Sequence, residues 1–409
     1  MVCNSSKGSF NKLLLFFFWL LYFLPLAIEH LEPKTEYIAL ILRMPVFLIA
    51  FSNIAGTIID KHLKSSSYLF WLFLLLAWEL LCVLINTPSA VISMLADIYR
   101  IVEVIIILIY CFKSNGIYGL MPLYYVSVIY ILLTLVSMII YPYGIYISNA
   151  ASSIERAQWL FGSKNNVGVY LATFSFVVIL MRTSKSFLSN FITMVIVGIS
   201  CFCIVSSGAN SVEFMQGSST GILMCLFILF SAFISNGKLL SSSKNQFFSM
   251  KKIIILVLAI NLVLVGGLTI SFINDFVVLV LHKSETFSGR VYIWSAAIEY
   301  IKSSPVFGHG LSNTAFYGNT YTSTYNMFLG IMKSFGIPAV LLLFFVLRSV
   351  KTSVKRDVQI AMIGLITCFI NGLMSQVSLT FIVFFLTVIY LLNDSKTSLL
   401  IDADKEDDY

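Results

Sequence analysis

At 409 residues, with 59% hydrophobic and 11% charged side chains, the chain carries about half the charge of an ordinary soluble domain, for which roughly 25% is usual. Apolar runs of about 20 residues, the length a helix needs to cross a bilayer, fill almost the whole chain and exclude a soluble globular protein. The net charge of +7 does not point to nucleic acid, because the basic residues fall in short loops between alternate apolar runs, which is a topology signal.

Backbone groups in hydrocarbon must be satisfied within their own segment, so the runs are expected to be helices; a barrel would show short alternating strands instead. In chain order the expected spans are 13–28, 37–59, 68–85, 97–112, 117–141, 166–181, 187–205, 220–235, 253–273, 326–347, 358–374 and 378–392. The fold class is thus an all-α polytopic membrane protein with about 12 transmembrane helices in a single integral domain. Lys7 and Lys12 precede the first run in the manner of a signal peptide. No small-residue cleavage site follows and further spans do, so the first helix is expected to stay uncleaved.

An even number of spans puts both termini on one side, and the charges choose the side. With the N-terminus inside, the inner segments carry 17 Lys and Arg residues and the outer segments 6, which places both termini in the cytoplasm. Two long loops then lie outside, 142–165 and the large loop 274–324 between spans 9 and 10, and long loops are more often functional than idle. The segment 393–409 ends in Asp402, Asp404, Glu406, Asp407 and Asp408 and reads as a solvated cytoplasmic tail. Of the 7 cysteines, six lie in apolar runs and one at the N-terminus, with no disulfide framework or zinc spacing.

Within the large loop, Val291, Trp294, Ile298 and Ile301 follow helical spacing, with Arg290, Glu299 and Lys302 off that stripe, as in an amphipathic helix at a membrane surface. Pro305 should end it, and Gly308 and Gly310 permit a tight turn. Arg290 offers a planar, permanently charged fork suited to phosphate oxygens; the plainer reading is an interfacial anchor for the helix.

Ser288-Gly289-Arg290 with Trp294, then Pro305, Gly308 and Gly310, then Tyr325-Asn326 with Leu329, and Gly336-Ile337 resemble the signature loop of the O-antigen polymerase and O-antigen ligase superfamily. Upstream, Arg156 followed by Phe161-Gly162-Ser163-Lys164-Asn165-Asn166 is similar to a family segment that precedes a span, and Ser218-Ser219-Thr220-Gly221-Ile222 to the start of a later helix. The resemblance covers roughly residues 150–348.

The resemblance implies a GT-C-like membrane glycosyltransferase in the bacterial inner membrane, working at the periplasmic face without metal or cofactor. Its substrates would be undecaprenyl-pyrophosphate-linked oligosaccharide repeats, with a chain-length regulator protein in the inner membrane as a partner and no nucleic acid. A polymerase moves the growing glycan onto a sugar hydroxyl of the next lipid-linked repeat, whereas a ligase moves it onto lipid A core. Arg290 matches the arginine that holds pyrophosphate, where charge develops on the leaving group. Ser219 stands where a second arginine is usual, and Tyr325 where a His-Asn pair begins. An unperturbed tyrosine is a poor base at neutral pH.

His309, on the glycine turn, is a candidate replacement base or a turn histidine. Tyr325 would then orient the acceptor, and Asn326 would hold a hydroxyl or cap the next helix. Arg156 and Lys164 are the basic residues of the other long loop and candidates for the missing cation. Charges also lie inside spans. Asp97, Arg100 and Glu103 are spaced to share a helix face, Arg43 and Glu79 sit in neighbouring spans, and Lys333 follows Asn326. They line a lipid-phosphate groove or bridge helices, since unpaired charges in the bilayer are costly. No nucleotide-binding loop, metal cluster or serine-nucleophile elbow is present, which disfavours an ATP-driven pump. A flippase for the same lipid-linked sugars is the alternative from another class.

Overall fold

The computed structural model describes residues 3–32, 34–57, 66–148, 156–182, 187–207, 219–236, 249–266, 290–311, 324–375 and 377–393. The described residues are almost entirely helical: α1 (Cys3–Tyr22), α2 (Leu26–Leu31), α3 (Lys34–Thr57), α4 (Ser67–Asn86), α5 (Val91–Asn115), α6 (Met121–Ile140), α7 (Lys164–Leu180), α8 (Phe187–Ser206), α9 (Ser219–Asn236), α10 (Met250–Gly266), α11 (Arg290–Ser303), α12 (Met327–Ser349), α13 (Arg356–Met374) and α14 (Leu379–Asn393). Among the described residues six helical stretches are long and apolar enough to cross a membrane, one of which, Pro88–Ile140, contains both α5 and α6. The chain is an all-α, multi-pass membrane protein on that basis. A helix also stands at each of the other expected positions.

Burial separates a core from a lipid-facing rim. In Arg356–Met374, 83% of the apolar window is buried inside the protein, against 28% in Lys34–Ala55. The helix α13 is therefore central, packed against α7, α9 and α14, while α3 packs on α1 and α5 with its outer face open. That face carries Ile38, Ile41, Leu42 and Leu48, apolar side chains that need lipid tails around them. Lipid gives no hydrophobic drive for helix association, so close packing must do the holding. A cluster of aromatic rings supplies much of it: Phe161 stacks on Tyr170 at 4.5 Å between centroids, and Phe23 meets Phe174 edge-on at 5.2 Å.

Three features depart from the expected order. The first span, read as 13–28, ends at Tyr22, because Pro25 cannot continue a helix, and the chain restarts as the short α2. The loop 142–165 contains an antiparallel hairpin of β1 (Tyr146–Ser148) and β2 (Arg156–Gln158), with Tyr146 opposite Gln158. The hairpin is tied to α2, since the Ala27 amide donates to Leu160 O at 3.0 Å and His30 stacks on Tyr146 at 4.1 Å. Finally, α12 is broken at Gly336, where φ is 77° and ψ 177°. The stretches 274–289 and 312–323 of the large loop, and the tail from 394, lie outside the described residues.

Candidate functional site

The break in α12 decides how the large loop is seated. Pro338 has no amide hydrogen and Gly336 is not helical, so the carbonyls of Lys333, Ser334 and Phe335 lose their partners along the helix. The turn after α11 supplies new ones. His309 N donates to Lys333 O and Gly310 N to Ser334 O, both at 2.8 Å; in return Ile337 N donates to Pro305 O at 2.8 Å. On the other side, Trp78 Nε1 of α4 donates to Phe335 O at 2.9 Å, and the Trp78 ring stacks on Phe307. Loop and helix thus form one hydrogen-bonded joint.

Glycine is required at this joint. Gly308, Gly310 and Gly336 all have positive φ. A Cβ on Gly336 would lie 1.9 Å from Val306 O, and one on Gly308 2.5 Å from Ser334 C. Pro305, Gly308, Gly310 and Gly336, read from the sequence as a motif, therefore share one structural task.

The amphipathic helix is present as α11. Trp294 and Ile301 are buried against Leu329, with Ile298 and Met332 packed alongside, and Ile293 and Ala297 form a second buried row. Glu299 and Lys302 are exposed and paired with each other at 2.6 Å. The stripe thus faces α12. Trp294 Nε1 donates to Thr324 O at 3.0 Å, which anchors the chain as it enters α12.

Tyr325 follows, at φ 49°, a left-handed conformation that costs a bulky residue about 1–3 kcal/mol and persists where its surroundings fix it. Here Tyr325 packs against the Ile293–Ala297 row and is flanked by two fully buried residues, Thr324 and Asn326. Asn326 caps α12, its Oδ1 accepting from Leu329 N at 3.1 Å. Its Nδ2 reaches Asn261 Oδ1 of α10 at 2.8 Å and Leu373 O of α13 at 3.2 Å. Of the two roles read for Asn326, capping is the one seen, and its amide is engaged by protein groups.

The hairpin loop meets the same helix end. Asn371 Nδ2, two residues from Leu373, donates to Asn165 O at 3.1 Å, beside Lys164. The ends of both motif-bearing loops therefore converge on the Asn371–Leu373 end of α13. Lys164 is exposed at the start of α7, and Arg156 lies on β2. The side chains of Arg156 and Arg290 lie outside the described residues, and Arg290 opens α11. His309 stacks on Tyr300 at 3.8 Å, with Nε2 2.9 Å from Tyr300 O. A carbonyl only accepts, so in the neutral ring Nε2 carries the proton and Nδ1 the lone pair.

A polar cleft that the sequence reading underrated opens beside this assembly. A cavity of about 510 Å³ is lined by Glu79, Asp97 and Arg100 together with Leu311, Ser334 and Thr380. A smaller one of about 150 Å³ is lined by Tyr22, Glu29, Glu36 and Arg43, and shares Arg100, Ser378 and Thr380 with the first.

The charges here are wired differently from the expectation. Arg43 pairs with Glu103, Nε to Oε1 at 3.4 Å, and not with Glu79; Arg100 pairs with Glu36 across to α3, and not along its own helix. The reason is that α3 packs directly against α5. Arg43 is completed by the Tyr22 ring, 5.0 Å from its guanidinium carbon. On α2, burial pushes the Glu29 carboxyl above the ordinary range, with Arg100 and Arg43 opposing. Burial, with the Glu29 charge, raises the Tyr146 phenol. Among the described residues no three His, Cys, Asp or Glu side chains group as metal ligands.

No family model, curated protein or solved structure matches the chain. The functional reading therefore stands on its own residues and this geometry.

Proposed function

We propose that the protein is a polysaccharide polymerase of the bacterial inner membrane, with twelve spans, a GT-C-like fold and both termini cytoplasmic. It transfers a growing glycan from undecaprenyl pyrophosphate to a sugar hydroxyl of the next lipid-linked repeat at the periplasmic face. The observation that carries the reading is the convergence of the two motif-bearing loops on one end of α13, next to a polar cavity that Leu311 and Ser334 of the joint help to line. A transporter reading would be favoured by a polar path running between two halves of the bundle; the large loop and the cavity meet instead at one joint.

In this reading Arg290, at the first turn of α11, holds the pyrophosphate and neutralises the charge that develops on it. A helix N-terminus adds its own partial positive charge. Arg156 and Lys164 serve as further cations on the approach from the hairpin side. Tyr325 orients the acceptor, and Asn326 fixes Tyr325 through the cap.

The test is genetic and chemical. Deletion should leave lipopolysaccharide capped with a single repeat unit. Uncapped core would indicate a ligase, and repeats stranded on the cytoplasmic side a flippase. Arg290→Ala at normal expression should abolish the chain-length ladder; an unchanged ladder would remove Arg290 from the mechanism.

A further inference from the structure

We propose that Glu79 takes the proton from the acceptor hydroxyl, with Asp97 beside it to bind the neighbouring hydroxyls. The proposal rests on the glycosyl-transfer reading and supplies the base that Tyr325 does not. Glu79 is only 5% exposed, yet it lines the 510 Å³ cavity, whose volume falls in the usual range for small-ligand pockets, about 300–1,000 Å³.

The wiring of the cleft singles this carboxyl out. Arg43 is matched with Glu103 and Arg100 with Glu36, whereas neither Glu79 nor Asp97 has a hydrogen-bond or ion-pair partner among the described residues, and of these two Glu79 is buried and Asp97 exposed. A carboxyl buried in a membrane helix without a partner is costly, and such residues usually face a cavity in which they have a task. Aspartate and glutamate are acceptor-only groups when ionised, which suits sugar hydroxyls as donors. The serine and threonine hydroxyls of Ser334, Ser378 and Thr380 line the same space.

The step balances as follows. The acceptor O–H proton moves to a Glu79 carboxylate oxygen while the acceptor oxygen bonds to the anomeric carbon of the donor glycan. The bond from that carbon to the phosphate oxygen breaks, and its electron pair leaves with the carrier pyrophosphate. Glu79 then releases its proton to water at the cavity mouth. The charged groups facing Glu79 are Asp97 and Arg100 from α5; α12, α14 and the residues just before α14 contribute only hydroxyls and apolar groups, and Cys82 lies one turn further along α4.

The experiment uses the full-length protein in liposomes with a lipid extract from a strain lacking its gene. Wild type should form polymer at a rate that rises with pH to a plateau. Glu79→Gln, with an unchanged thermal midpoint, should be slower by about a hundredfold or more and lose that rise. A Glu79→Gln rate within about twofold of wild type, or a slower rate with a wild-type pH profile, overturns the assignment, since general acid–base removal should exceed that effect.

If Glu79→Gln fails to accumulate, dicyclohexylcarbodiimide on the wild type decides. Loss of polymer formation in step with labelling of Glu79 supports the role, and labelled protein that stays active overturns it. An inactive wild type overturns glycosyl transfer and the base together; an active wild type with an active Glu79→Gln overturns the base alone.

Discussion

Replacing Gly336 by alanine tests the joint that seats the large loop. The new Cβ would lie 1.9 Å from Val306 O and 2.4 Å from its carbon, both backbone atoms, so either the turn or α12 must move. The conformation at φ 77° and ψ 177° is also one that only glycine adopts freely, with strain of about 1–3 kcal/mol for other residues. If the turn retreats, one or two of the three joint hydrogen bonds are lost, each leaving buried backbone groups unmatched at about 1–3 kcal/mol. The total is about 2–9 kcal/mol, a large share of the roughly 5–15 kcal/mol that holds a folded domain.

Cysteine reactivity reports the event locally. Cys82 is buried, and its thiol donates to Phe335 O at 3.5 Å, at the joint itself. In Gly336→Ala, Cys82 should react with a maleimide dye well below the global melting temperature, and the melting temperature itself should fall. Gly198→Ala, on α8 with nothing within 4 Å of its added Cβ, is the control and should be neutral or slightly stabilising, by up to about 1 kcal/mol. A Gly336→Ala protein that melts with the wild type and keeps Cys82 protected would refute the joint.

Three further outcomes follow from the same geometry. Arg43→Ala strands the Glu103 carboxyl, which is fully buried, and should cost about 3–5 kcal/mol; adding Glu103→Gln should restore much of it, as measured by thermal melts of the single and double variants. Asn326→Ala removes the cap of α12 and the ties to α10 and α13, and should cost at least the roughly 1 kcal/mol of a lost cap, whereas Asn326→Asp should keep the cap. Glu29 has a raised carboxyl pKa in the folded protein. Its contribution is fully present below the ordinary carboxyl range and is lost as pH rises through the folded value. Melting at alkaline pH should therefore improve in Glu29→Gln, with no difference between the two proteins near pH 4 or below, about the ordinary glutamate value.

Hydropathy alone located the helices, because a helix in lipid needs a long apolar run whatever its neighbours. The stripe of α11 and the glycine turn were legible for a related reason, since each is a local pattern. The break in α12 is hidden, because Met327–Ser349 is apolar enough overall to read as one span and only Gly336 followed by Pro338 marks it. The pairing of Arg43 with Glu103 was not readable either, since it depends on which helices touch. The sequence leaves Asn326 open between holding a hydroxyl and capping the next helix, and its burial and three partners emerge only once α10, α12 and α13 are packed. For Glu79 and Asp97 the sequence leaves open a groove lining or a bridge, and the pairing of Arg43 with Glu103 and of Arg100 with Glu36 leaves both carboxyls to the cavity.

The account is tested most directly by the products that purified protein makes from lipid-linked repeats in liposomes. Polymerase action predicts a ladder of lengthening glycans on the carrier lipid and its loss in Arg290→Ala. Repeats that cross the bilayer unchanged, or glycan that moves only when lipid A core is supplied, would contradict it.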